Sequence, residues 1–231
     1  MNPPIVATKK WSVNYKTGKL PIMAFATQTD PPIRGFTAKG QATRQRIVDA
    51  ASKLILEHGV ESATLEEIQS EAHVSASQLY HYFTNKSALI LAVIDHQTEA
   101  VLGVHRSVLA RLDSFEALIE WRDVIVATLD AQNCIGGCPL GSLVSGLAES
   151  DPIARGALAE SFGEWEGLLR SGLMAMRDRG VLRDDIDVDA LALSMLASVQ
   201  GGLLLSQARR DSSAVRVAVD TAIEYLRTLR T

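Results

Sequence analysis

Cysteine is nearly absent. The 231 residues contain two, Cys134 and Cys138, four positions apart in NCIGGCPLGSL. So few thiols exclude a disulfide-stapled secreted scaffold and fit a reducing compartment. Proline is confined: five of the seven fall within residues 1–38, leaving only Pro139 and Pro152 beyond them. From residue 39 onward the chain is thus nearly free of helix breakers. Strand-like alternation is missing at any useful length, which argues against a sheet. Catalytic signatures are missing too. There is no glycine-rich phosphate loop and no nucleophile motif, and the histidines at 58, 73, 81, 96 and 105 have no HExxH or CxxC companion. These absences point away from an enzyme, a metal site and a cofactor; two cysteines alone lack the further ligands that zinc requires.

Long apolar runs are also scarce. No stretch of signal-peptide length follows the lysines at 9, 10, 16 and 19. One charge-free run, Ala190–Ala208, reaches 19 residues, near the minimum for a membrane span. It carries three serines, two glutamines and the pair Gly201-Gly202, and reads as a buried helix of a soluble, cytoplasmic protein with no membrane contact.

What the chain does have is charge, unevenly spread. Residues 1–46 hold eight Lys or Arg against one acid, Asp30, a balance of +7; the remainder carries −11, giving the net −4. A basic arm ahead of an acidic body suits a polyanion met at one end only. Residues 1–38 otherwise lack apolar periodicity and read as a flexible N-terminal extension, with Met23 inside it as an alternative translation start.

From residue 39 the apolar positions take helical spacing. Positions 47, 50, 51, 54 and 55 form one stripe, closed by Gly59. Thr64-Leu-Glu-Glu67 is a capping box, and Ser75-Ala-Ser-Gln78 is another. Two starts eleven residues apart predict two short helices across a tight turn, the spacing of a helix-turn-helix. Further stripes predict a long helix through 90–108, one over 114–131 and a shorter one from Pro139. Asp151-Pro152 opens another, with 154, 158, 162, 165, 169, 173 and 176 inward. Asp187 caps the uncharged helix, and 215, 218, 222, 226 and 229 face inward on the last. The reading is all-α, about nine helices: a helix-turn-helix domain over 39–85 and a larger helical domain over 86–231.

One run within residues 40–95 is more specific. Glu57-His58-Gly59 is followed by Thr64, Ile68, Ala72, Val74-Ser75, Leu79-Tyr80-His81-Tyr82-Phe83, Lys86 and Leu89. It resembles the N-terminal DNA-binding domain of the tetracycline-repressor (TetR) family, most of all in Tyr80-x-x-Phe83-x-x-Lys86 after the second capping box. His73 departs from the family's turn glycine, and a Cβ at positive φ is costly there. Gln69 stands where the family often has Ala. On this reading the second short helix offers Ser75, Ala76, Ser77, Gln78 and His81 to a groove; Gln reaches adenine, and Ser either base type. Tyr80, Tyr82 and Lys86 reach the DNA backbone, fixing register, and Arg44 at the start of the first helix reaches backbone or minor groove. Thr64 resembles the family's phosphate-contacting threonine, besides being an N-cap.

The resemblance also implies partners: a double-stranded, palindromic DNA operator, a second copy docked through the last two helices (about 187–209 and 212–229), and a small apolar effector in a central cavity. Candidate lining residues are Trp121, Cys138, Phe162, Trp165, Met174 and Gln200. Segment GCPLGSL and the following Asp151-Pro152 resemble a subset of the same family. An alternative sensing chemistry uses the thiols. Pro139 fits the first helical position, so Cys138 lies at the N-cap, where helix amides favour a thiolate, and Cys134 lies in the flexible loop before it.

Overall fold

The computed structural model describes residues 36–231. The expectations about Met23, the basic arm up to Arg34 and most of the N-terminal extension lie outside them. Nine helices make up the described part: α1 (Ala38–His58), α2 (Leu65–Ala72), α3 (Ala76–Tyr82), α4 (Lys86–Leu109), α5 (Phe115–Ala131), α6 (Pro139–Leu147), α7 (Pro152–Asp178), α8 (Val188–Arg209) and α9 (Ser213–Arg227). Among the described residues the only β-type pairing is an isolated bridge between Leu182 and Arg230.

Local chemistry explains most of these boundaries. The side chains of Thr37, Thr64, Ser75, Asn85, Ser114, Asp151 and Asp187 each accept a first-turn amide, so seven of the nine helices begin on a capped end. Pro139 and Pro152 open α6 and α7, where their missing N–H costs nothing. Gly180 follows α7 at φ +71°, and α2 stops at His73 in a left-handed conformation, φ 52° and ψ 51°.

Two buried clusters hold the helices together. The first gathers Ile47, Ala51, Ile68, Leu79 and Phe83 of the head around Leu89, Val93 and Ile94 of α4. It also takes in Leu140, Leu143 and Leu147 of α6, so the three-helix head does not close on itself. The second gathers the far half of α4 with α5, α7, α8 and α9 around Trp121, Trp165, Leu169 and Met195. Val101, Cys138 and Phe162 pack against both. Inside the seam, the Thr98 hydroxyl donates to Ser161 Oγ at 2.7 Å, tying α4 to α7.

The α9 stripe differs from the sequence expectation. Val215, Val219, Ile223 and Leu226 are buried, whereas 218, 222 and 229 are only half-buried on its flank. With α8 on one side and α5 on the other, the inward line is set by the neighbours α9 meets, not by its apolar residues alone. Helices α4 and α8 are both long and apolar enough to cross a membrane by length and composition. On one side α8 packs Leu191, Ala192, Met195, Leu196, Val199 and Leu203 into the second cluster. The glycine pair in α8 splits its roles. A Cβ on Gly202 would lie 2.6 Å from Val215 Cα, so Gly202 lets α9 approach within the chain, while Gly201 faces open space.

Candidate DNA-reading head and effector cavity

Leu79 and Phe83 are buried, and they clamp α3 against the rest of the head. That leaves Ser75, Ala76, Ser77, Gln78, Tyr80 and His81 exposed along its other side. Tyr80 is 52% exposed, so its ring is no part of the core. Tyr82 is half-buried, with its ring edge-on to His81 at 5.0 Å. The second capping box forms as expected: Ser75 Oγ accepts the Gln78 amide at 3.2 Å, and Gln78 Oε1 accepts the Ser75 amide at 3.0 Å. The Gln78 side-chain nitrogen Nε2 takes no part in the box.

Three residues expected at the DNA have partners within the head. Lys86 donates to the carbonyls of Val60 and Ala63 at 3.2 and 3.0 Å, tying the α1–α2 loop to the start of α4. The Thr64 hydroxyl sits inside the first capping box, accepting the Glu67 amide at 3.2 Å and donating to Glu67 Oε2 at 2.9 Å. The Glu67 carboxylate thereby fills the ground ahead of the α2 amides, and hydrogen bonds from the Thr64 backbone amide and hydroxyl hold its pKa below the usual carboxylate range. Arg44 lies with its guanidinium 5.1 Å from the centre of the Phe83 ring, bracing α1 against the end of α3. Its charge partly offsets the burial that raises the Asp95 carboxyl on α4.

A cavity of about 260 Å³ opens where α4, α5, α7 and α8 converge on the start of α6. Gln97, His105, Thr128, Cys138, Trp165 and Leu203 are among its walls, and no Asp, Glu, Lys or Arg lines it. The His105 ring stacks on Trp165 at 4.6 Å and meets Trp121 edge-on at 6.3 Å. Burial drives its pKa down to about 4, so the imidazole is neutral. His105 Nδ1, Trp121 Nε1, Trp165 Nε1 and Gln200 Nε2 are buried without a hydrogen-bond partner. Buried polar atoms in folded proteins are nearly always paired; two of these four, on His105 and Trp165, belong to residues that line the cavity.

Of the six lining residues expected from sequence, Cys138 and Trp165 reach the cavity. Gln200 stands beside it, next to Cys138. Trp121 is fully buried behind His105, and Phe162 packs at the seam between the two clusters. Met174 is 40% exposed on the outer side of α7, so an apolar residue there fills neither core nor cavity. The structure adds Gln97, His105 and Thr128. Gln97 had a signal: it interrupts the apolar spacing 90, 93, 94, 101, 104 and 108 of α4. His105 and Thr128 had none, because the cavity arises from helices distant in sequence.

The thiols also depart from expectation. Burial raises the Cys138 thiol, outweighing the lowering by the Gly141 and Leu140 amides and by Gln200. A protonated thiol is a weak nucleophile, the reverse of what an activated N-cap cysteine requires. Cys134 is buried, and its carbonyl accepts Arg210 Nη1 at 2.9 Å. The loop between is folded, not slack: Asn133, Cys134, Gly136 and Gly137 all have positive φ. Among the described residues no three His, Cys, Asp or Glu side chains converge as a metal site would need.

Known proteins share both halves. A family model described as bacterial regulatory proteins, tetR family, matches residues 47–93, and one described as transcriptional regulator LmrA/YxaF-like, C-terminal domain, matches residues 114–221. The HTH-type transcriptional repressor DhaR of a Mycobacterium species is 25% identical over 188 residues, 79% of this chain and 91% of that one. The uncharacterized HTH-type transcriptional regulator TtgW of Pseudomonas putida is 32% identical over 105 residues, 42% of this chain and 69% of its own. In fold, the crystal structure of a TetR-family transcriptional regulator from Cytophaga hutchinsonii matches with a TM-score of 0.74 at 20% identity, covering 85% of this chain and 99% of that one.

Proposed function

The chain belongs to the TetR family of bacterial regulatory proteins, and from that premise we propose that it is a cytoplasmic repressor which binds a palindromic operator as a homodimer and releases it when a small molecule fills the cavity. It is a DNA-binding transcriptional regulator and not an enzyme. The observation that carries the proposal is α3, whose Leu79 side is locked in the core while Ser77, Gln78, Tyr80 and His81 lie exposed on the other. Such a helix suits the major groove, with Ser77, Gln78 and His81 toward base edges and Tyr80 and Tyr82 toward phosphates. Arg44, Thr64 and Lys86 act here mainly by holding the head in shape.

Two further observations support a dimer. Residues 39–88 hold five basic and six acidic side chains, so a single head has little electrostatic hold on DNA, and two heads double it. Helix α8 also carries a second apolar line, Leu193, Ala197, Gly201 and Leu204, exposed on the side away from the core. Val217 and Tyr225 of α9 are exposed too. A helix apolar on both sides is normally buried on both.

Fluorescence anisotropy with DNA from upstream of the gene tests the reading. A salt-sensitive complex that resists nonspecific competitor is expected, weakened by Tyr80→Ala. No specific complex with any upstream fragment would sink it.

A further inference from the structure

We propose that the cavity takes an uncharged molecule of one or two rings bearing a hydroxyl or carbonyl oxygen, and that it excludes organic anions and cations of the same size. The inference rests on the effector reading above and narrows it from small to a definite chemistry.

Size comes first. A dry cavity of roughly 150 Å³ admits a single benzene ring, and drug-sized sites begin near 300 Å³. At about 260 Å³ this cavity falls between the two, which suits one or two fused rings. One wall is the stacked pair of Trp165 and His105, a flat surface against which a planar ring gains contact.

Charge comes second. No ionised side chain lines the cavity, and its two titratable groups, His105 and Cys138, are both held neutral by burial. A charged guest would lose its hydration and meet no counter-charge.

Hydrogen bonding comes third. A purely apolar cavity would leave nothing for an oxygen to meet. Here the Gln97 side chain is buried, lines the cavity and forms no hydrogen bond among the described residues. His105 Nδ1 and Trp165 Nε1 are buried without partners in the same wall. The indole offers a donor only, the amide both a donor and an acceptor. A hydroxyl can answer both kinds, and a carbonyl oxygen answers the donors. A hydrocarbon answers neither.

Equilibrium dialysis of the full chain against four probes on one frame decides the matter: naphthalene, 2-naphthol, 2-naphthoate and 2-naphthylmethylammonium. The expected order puts 2-naphthol about tenfold tighter than naphthalene, the ratio one neutral hydrogen bond supplies. The two ions should bind at least about a hundredfold more weakly than 2-naphthol. Gln97→Leu should erase the advantage of 2-naphthol while leaving naphthalene bound, which also shows that the variant is folded. An ion that binds as tightly as 2-naphthol, a hydrocarbon that matches it, or no binding of 2-naphthol overturns the proposal. Operator release is measured separately by anisotropy. If 2-naphthol binds in the expected order and the operator stays bound, effector-driven release fails and the ligand class stands. If an ion alone binds and releases the operator, the ligand class fails and the repressor reading stands.

Discussion

At the scale of single residues, His105 sets a pH dependence. In the unfolded chain its imidazole takes a proton near the ordinary 6.5; in the folded chain burial delays this to about 4. Between those values the unfolded state binds more protons, so stability falls as pH drops through the window. By pH 5 the loss attributable to His105 is about 2 kcal/mol. His105→Phe keeps a ring against Trp165 and removes the proton site. Urea midpoints at pH 7.5 and 5.0, at matched protein concentration, should show the variant losing less than the parent by about that amount; an equal loss would refute the assignment. His73 makes a second residue-scale case. It holds φ 52° where a glycine would sit without strain. His73→Gly should raise the stability of the head by about 0.5–1 kcal/mol, the relief of left-handed strain less the entropy a glycine adds to the unfolded chain. A fall in the denaturation midpoint would show instead that the His73 side chain holds the turn.

At the scale of elements, what was legible in the sequence was what short-range chemistry decides. The caps at Thr64, Ser75, Asp151 and Asp187 could be read because an N-cap acts within three residues. The faces of the long helices were harder, because a face is chosen by what packs against it. Hence α9 turned its buried line by one residue at two positions, and Met174 on α7, expected at the cavity, lies outside. The cavity was the least legible, since Gln97, His105 and Thr128 meet only after α4 and α5 have packed together. The glycines of α8 turn this lesson into a measurement. Gly202→Ala forces a Cβ to within 2.6 Å of Val215 Cα, against backbone that cannot swing away. It should cost about 1–3 kcal/mol in urea unfolding. Gly201→Ala meets nothing within the chain, so it should leave the subunit folded. If α8 faces a second copy, however, the same methyl group sits in the interface, and sedimentation should show a weakened dimer. An intact dimer with a raised midpoint would place Gly201 outside the interface, the midpoint rising by the better helix propensity of alanine.

At the scale of the whole molecule, α6 joins the cavity to the head. Its first residue follows Cys138 at the cavity, and its Leu140, Leu143 and Leu147 belong to the core of the head. Near its far end, a Cβ on Gly146 would come within 3.1 Å of Val60, whose carbonyl anchors Lys86. Under the proposed effector response, a guest that shifts α6 would press on the head directly. For that shift to matter, two heads must be spaced by a dimer, and this can be tested without a ligand. Leu204, 66% exposed on α8, lies outside the core of the subunit, so Leu204→Arg should fold normally. Placed in an α8–α9 interface, the same arginine leaves a charge without a partner and should yield monomers. Each head neutralises its own phosphates, so the slope of log affinity against log salt should drop to about half that of the parent. Specific affinity for the palindrome should fall with it, because one head reads one half-site. A variant that sediments as a dimer and keeps the full salt slope would move the interface elsewhere on the molecule.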